Sequence, residues 1–150
     1  LVLTRQKTSA QVRDESTVKT IECGGYILRH ESKSLDVILI ATGSEVGIAM
    51  EAASVLEGDG LGCRVVSMPS VDHFLQQSAS YQAQVLPPNH RARVAIEAAH
   101  PDYWYRFVGF EGRIVGVDRF GISAPGDIAM EALGITAEAV VASARETIGL

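Results

Sequence analysis

From about residue 24 onward, hydrophobic and polar positions switch back and forth between two periods. Residues 35–41 carry a near-continuous aliphatic run, Val37-Ile38-Leu39-Ile40-Ala41, which suits a strand buried on both faces of a parallel sheet. Thr42-Gly43-Ser44 breaks the run. Val46, Ala49, Met50, Ala53 and Leu56 then recur on one face of a 3.6-residue period. The spacing predicts a helix with Ser44 as its N-cap and Glu45 in its first turn, closed by Gly58-Asp59-Gly60-Leu61-Gly62. Residues 63–68 read as the next strand, stopped by Pro69, and 71–74 and 80–85 as short helices. A third core strand falls at 92–97, a short aromatic helix at 101–107 with Pro101 suited to its first position, and a fourth strand at 113–117. The loop 120–125 leads into a helix ending near Leu133. Thr136 caps a last helix striped by Val140, Val141, Ala144 and Ile148. Tyr26-Ile27-Leu28 is a short strand ahead of all these. Strands and helices alternating at this spacing imply βαβ units. The predicted fold class is α/β, a three-layer α/β/α sandwich with a mainly parallel sheet.

The stretch before residue 24 breaks the pattern. Residues 1–6 form a short β-prone run ending on Arg5 and Gln6. Residues 7–20 are polar and without a sustained period, centred on Asp14-Glu15-Ser16-Thr17. The expectation is a strand at 1–6 whose sheet belongs to another domain, a linker over 7–23, and one domain over 24–150.

Composition narrows the class. The 150 residues are 47% hydrophobic and 21% charged, enough apolar content for a real core. Thirteen Lys+Arg against eighteen Asp+Glu leave a net charge of −5, which argues against nucleic acid or an anionic membrane as partner, since both select basic surfaces. No apolar run approaches the roughly 18 residues of a membrane span. Two cysteines, Cys23 and Cys63, are too few for a disulfide scaffold. A soluble, reducing, cytoplasmic setting is expected. The chain opens on Leu1 and reads as a piece of a longer polypeptide.

Candidate chemistry is sparse. The glycine-rich loop at 58–62 closes a helix and precedes a strand, the reverse of a dinucleotide-binding loop, so it reads as a helix end. The strand-to-helix turn Thr42-Gly43-Ser44-Glu45 is better placed for an anion, but Glu45 puts a negative charge there, and N-capping by Ser44 is the expected role. His30, His73, His90 and His100 share no metal-ligand spacing and read as surface or loop residues. Ser123, in Gly-Ile-Ser-Ala-Pro-Gly, departs from a nucleophile elbow and reads as a helix cap. Asp102-Tyr103-Trp104-Tyr105-Arg106 sets opposite charges at i, i+4 around aromatics suited to packing or an interface. Nothing assembles a nucleophile, a base and an oxyanion hole.

The ordered string of segments says more than any one of them. Leu-Thr-Arg-Gln (3–6), Gly-Gly-Tyr-Ile-Leu (24–28), Asp-Val-Ile-Leu-Ile-Ala-Thr-Gly-Ser-Glu-Val (36–46), Arg-Val-Val-Ser-Met-Pro-Ser (64–70), Arg-Val-Ala-Ile-Glu-Ala (93–98), Asp-Tyr-Trp-Tyr-Arg-Phe-Val-Gly (102–109) and Phe-Gly-Ile-Ser-Ala-Pro (120–125) resemble the C-terminal part of transketolase. The resemblance runs in order along nearly the whole chain. It implies a thiamine-diphosphate enzyme that moves two-carbon ketol units between sugar phosphates. It also implies that 24–150 is the Rossmann-like C-terminal domain and that 1–6 is the last strand of the preceding pyrimidine-binding domain. Thiamine diphosphate and Mg2+ (or Ca2+) would be held by upstream pyrophosphate- and pyrimidine-binding domains, in the same chain or a separate subunit of a homodimer. This chain would then bind no cofactor, hold no catalytic residue and be inactive alone. One residue carries over: Arg5, in Thr4-Arg5-Gln6, matches the family's arginine that contacts the substrate phosphate, and a guanidinium fork suits that partner. Glu97-Ala98-Ala99 departs from the glycine often found after Glu-Ala in the family. Two other readings stay open: a stand-alone α/β regulatory or ligand-binding module, and the C-terminal domain of deoxyxylulose-phosphate synthase or a 2-oxoacid dehydrogenase component.

Overall fold

The aliphatic run at 35–41 becomes the middle of a five-stranded sheet in a computed structural model that describes residues 6–150. The strands are β1 (Tyr26–Arg29), β2 (Leu35–Ala41), β3 (Gly62–Ser67), β4 (Arg93–Ile96) and β5 (Arg113–Val115), in the order β1-β3-β2-β4-β5. β2 pairs in parallel with both β3 and β4, β4 in parallel with β5, and only β1 runs antiparallel, against β3. The expected strand at 1–6 lies, apart from Gln6, outside the described residues.

Among the described residues there are seven α-helices: α1 (Glu15–Thr20), α2 (Glu45–Gly58), α3 (Val71–Gln76), α4 (Ala79–Val85), α5 (Tyr105–Val108), α6 (Gly126–Ala132) and α7 (Ala137–Ile148). Alternation along β2 divides the core in two. Val37 and Leu39 pack with Ala49, Ala53, Leu56 and Val140 of α2 and α7. Ile38 and Ile40 face Phe74, Val85, Trp104 and Phe107 of the α3–α5 side. Helices therefore cover both faces, and the three-layer α/β reading holds.

Local signals explain the helix ends. Thr136 Oγ1 accepts from the Ala139 N–H at 3.2 Å, as the cap expected for α7. The 58–62 loop ends α2 with the Leu61 N–H donating to the Leu56 carbonyl at 3.0 Å and Gly60 at φ +90°. A Cβ on Gly62 would lie 1.8 Å from the Ser34 carbonyl oxygen, so only glycine lets β3 start there.

Four expectations need correction. The stretch 7–20 is not irregular throughout, because Asp14 accepts from the Thr17 N–H at 2.7 Å and the Ser16 hydroxyl at 2.8 Å and starts α1. Ser44 does not cap α2 with its side chain. Its backbone is already helical, and its hydroxyl donates to Glu45 Oε2 at 3.2 Å instead. Ser123 does not cap α6 either; Pro125 occupies the cap position, with no side-chain hydrogen bond. Asp102 and Arg106 do not pair. Asp102 sits 3.5 Å from His100, while the Arg106 guanidinium lies over the Tyr103 and Phe107 rings, 5.9 and 5.7 Å from their centroids.

Candidate functional site

β2 and β4 end side by side, and their connections diverge: from β2 the chain runs to β3 on one side, from β4 to β5 on the other. That divergence opens a crevice outside the carboxyl ends of the strands, where open α/β sheets accept ligands. Its floor is built by the turn 42–45 after β2 and the loop 97–100 after β4. Gly43, at φ +58°, makes the turn tight enough to enter α2 at once. Glu45 is thereby driven inward and is only 6% exposed. Its carboxylate accepts from the Ser44 hydroxyl and feels the backbone of Ala98 in the β4 loop, which favours its charged form. Burial pushes its pKa up, and the neighbouring Glu97 carboxylate adds to that.

Glu97 is anchored from the other side. The indole N–H of Trp104, a side chain 1% exposed, donates to Glu97 Oε2. Thr42, Ser70, Glu97, His100, Tyr103 and Trp104 line a cavity of about 360 Å³ at this edge. A second groove, about 460 Å³, runs beside it, with Gln6, Lys7 and Arg13 on one wall and Gly43, Ser44 and Glu51 on the other. Arg13 Nε donates to the Tyr26 hydroxyl at 2.9 Å, so the segment arriving from residue 6 is held across the carboxyl edge.

The donor set defines what this edge can do. The turn 42–45 has the topology of a phosphate cradle, but the buried Glu45 carboxyl occupies the helix start and opposes a diphosphate. Among the described residues, no group of three His, Cys, Asp or Glu side chains is placed to hold a metal ion. The residues present do not fit thiamine diphosphate with its divalent cation. What they do fit is a positioning role: two carboxyls and an indole brace the turn after β2 and the connection after β4.

The other sequence candidates are dispersed. Arg5 lies outside the described residues. Its neighbour Gln6 sits by the start of α6, where a Cβ on Gly126 would be 3.1 Å from Gln6 Nε2. His90 is not a plain surface residue: it is half-buried, its Nε2 has no hydrogen-bond partner in the protein, and burial lowers its pKa. Cys63 is buried in β3, with its thiol pushed up to about 12 by burial. Sequence reasoning missed the Glu45–Glu97–Trp104 arrangement; the available signal was an acid in the connection that follows each of two apolar strands, Glu97 directly after β4 and Glu45 four residues past the end of β2. Among the described residues, no helix is long and apolar enough to cross a membrane.

Comparison with known proteins agrees with this architecture. Residues 24–136 match the family described as the transketolase-like TK C-terminal domain. Transketolase 2 of Pasteurella multocida is 50% identical over 97% of this chain, which covers 22% of that protein. Among solved structures, transketolase from Leishmania mexicana superposes with a TM-score of 0.86 at 34% identity, over 97% of this chain and 20% of that one. Transketolase from Pichia stipitis in complex with sedoheptulose-7-phosphate gives 0.77 at 31% identity, over 88% of this chain and 19% of that one. The chain thus spans about a fifth of the length of the relatives it matches, and that fifth is their C-terminal part. Sheet order, segment order and sequence identity converge, and the chain belongs to the transketolase C-terminal domain family.

Proposed function

We propose that this chain serves as the C-terminal domain of a cytoplasmic transketolase, a thiamine-diphosphate enzyme transferring two-carbon ketol units between sugar phosphates. The observation that carries this reading is 50% identity to a transketolase over 97% of the chain. In this reading, residues 1–6 complete the sheet of a pyrimidine-binding domain, 7–23 link it to the domain over 24–150, and the working enzyme is a homodimer. The upstream pyrophosphate- and pyrimidine-binding domains, in the same chain or a separate subunit, hold thiamine diphosphate and Mg2+ (or Ca2+). The chain contributes no catalytic group and is inactive alone.

Arg5 is the exception to this purely structural role: it reads the substrate phosphate through a two-pronged, charge-assisted contact. The placement of Gln6 at the carboxyl edge supports this, because that edge is where an upstream domain would meet the sheet.

The test is a chimera in which this chain replaces the matching C-terminal part of the Pasteurella multocida enzyme. Ketol transfer is assayed with ribose 5-phosphate or free ribose as acceptor. The chimera is expected to be active, and the isolated chain inactive. Arg5→Ala should raise KM for ribose 5-phosphate by about ten- to a hundredfold, the loss of one charge-assisted contact of about 1.5–3 kcal/mol. It should leave free ribose nearly unaffected and lower kcat less, because the phosphate is remote from the bond being cleaved. Lysine should rescue only partly. An equal loss on both sugars would overturn the role given to Arg5, and an inactive chimera would overturn the proposed function.

A further inference from the structure

The loop that leaves β5 reaches the carboxyl edge and stays uncovered. Residues 118–128 are exposed without interruption, yet they carry Phe120 at 98% exposure, Ile122 at 46% and Ile128 at 54%, with Ala124 and Pro125 between them. α6, which ends this stretch, has no buried residue. A seven-residue helix is too short to be stable on its own. Three large apolar side chains left exposed within one eleven-residue segment mark a contact surface. Gln6 lies against the same segment, beside Gly126. The first described residue of the chain therefore lies beside this segment.

We infer that the 118–128 loop and α6 form the docking surface for the upstream portion of the enzyme, with Phe120 and Ile122 as its apolar anchors. The inference rests on the transketolase reading above, in which roughly four-fifths of each matched relative's length lies outside the part this chain matches. The upstream portion is the occupant because residues 6–13 already lie along this edge, against Gly43, Ser44 and Ser67. A body continuous with that segment meets the 118–128 loop before any free partner does. Phe110 is equally bare, but it precedes β5, whereas Phe120 follows it. The two phenylalanines therefore mark opposite edges of the sheet, and Phe110 serves as the control.

Amide hydrogen exchange on the isolated chain and on the chimera tests this. In the isolated chain, 118–128 should exchange rapidly while β2 is protected. In the chimera, exchange at 118–128 should slow by at least about tenfold. Phe120→Ser with Ile122→Ser should return it to the isolated-chain rate, and Phe110→Ser should not. Unchanged exchange at 118–128 in a chimera whose β2 is protected overturns the inference. Protection in the isolated chain that grows with its concentration also overturns it, by making a second copy the occupant. A chimera that aggregates with the surface intact counts against it as well. Activity separates the two proposals. An active chimera with 118–128 still exchanging fast sinks the docking surface alone, while a protected but inactive chimera sinks the functional reading alone.

Discussion

Glu45 holds its carboxyl where a charge is poorly solvated, between the start of α2 and the β4 loop, with a second carboxylate nearby. Because its pKa is raised in the folded chain, the native state binds more protons than the unfolded state above the ordinary carboxylate range. Stability from this group is full at acidic pH and falls as pH rises. Glu45→Gln keeps an acceptor for the Ser44 hydroxyl but removes the charge. The variant should therefore gain on the wild type between pH 4 and pH 7 in urea unfolding, and a gap that stays flat or narrows would contradict the assignment. His90 works with the opposite sign. Its folded pKa is depressed by burial, so its contribution is complete above the ordinary histidine range and is lost as pH falls below it. His90→Gln should flatten the acid side of the same profile.

Among the elements, α1 depends on one side chain. Hydrogen bonds from Thr17, then Ser16, hold the Asp14 carboxyl at about 2, so α1 keeps its cap above the ordinary carboxylate range and loses it as pH falls through about 2. Asp14→Ala should speed amide exchange at Thr17 and Val18 while leaving β1 protected, and unchanged rates there would show that packing holds α1. A stronger tie joins β3 to its surroundings. Arg64, buried in β3, donates to both oxygens of Glu31 at 2.6 and 2.9 Å and to the carbonyls of Gln84 and Val85. That fork lowers the Glu31 pKa and pins the end of α4 to the sheet. Breaking such a pair by removing one partner costs about 3–5 kcal/mol. Arg64→Met should show a loss of that size in denaturant unfolding, and a loss under about 1 kcal/mol would mean the pair is solvated.

At the scale of the whole molecule, one sheet separates two apolar layers. Leu39 points into the layer under α2 and α7, and Phe74 fills the layer on the other face. Truncation to alanine costs about 2–5 kcal/mol for a fully buried leucine and about 3–5 kcal/mol for a fully buried phenylalanine. The two sites share no partner across the sheet, so their costs should add. Against a typical total of about 5–15 kcal/mol, Leu39→Ala and Phe74→Ala should each leave a folded chain with one cooperative transition. The double variant should be largely unfolded at room temperature by circular dichroism. A double variant no worse than either single one would show that the layers are not independent.

The amino-acid order by itself determined whatever depends on neighbours within one segment. The aliphatic run predicted β2 residue for residue, and the 3.6-residue stripe predicted α2, because burial on one face is written into local periodicity. Thr136 was legible as a cap, and the Asp14 cap was available in the same way, from an acid three residues ahead of Thr17. The ordered blocks also carried the family resemblance. Only the tertiary structure decided which segments face each other. The Arg64–Glu31 pair spans 33 residues, Trp104 meets Glu97 through the return of a loop, and the need for glycine at 62 comes from Ser34 across the sheet. The burial of Glu45 has the same origin. A period tells which side of an element is apolar and says nothing of what will cover it. Ser44 shows the cost of that limit: the right residue type stood at the helix start, but the tight turn at Gly43 and the Glu45 carboxyl beside it turned its hydroxyl away from the cap.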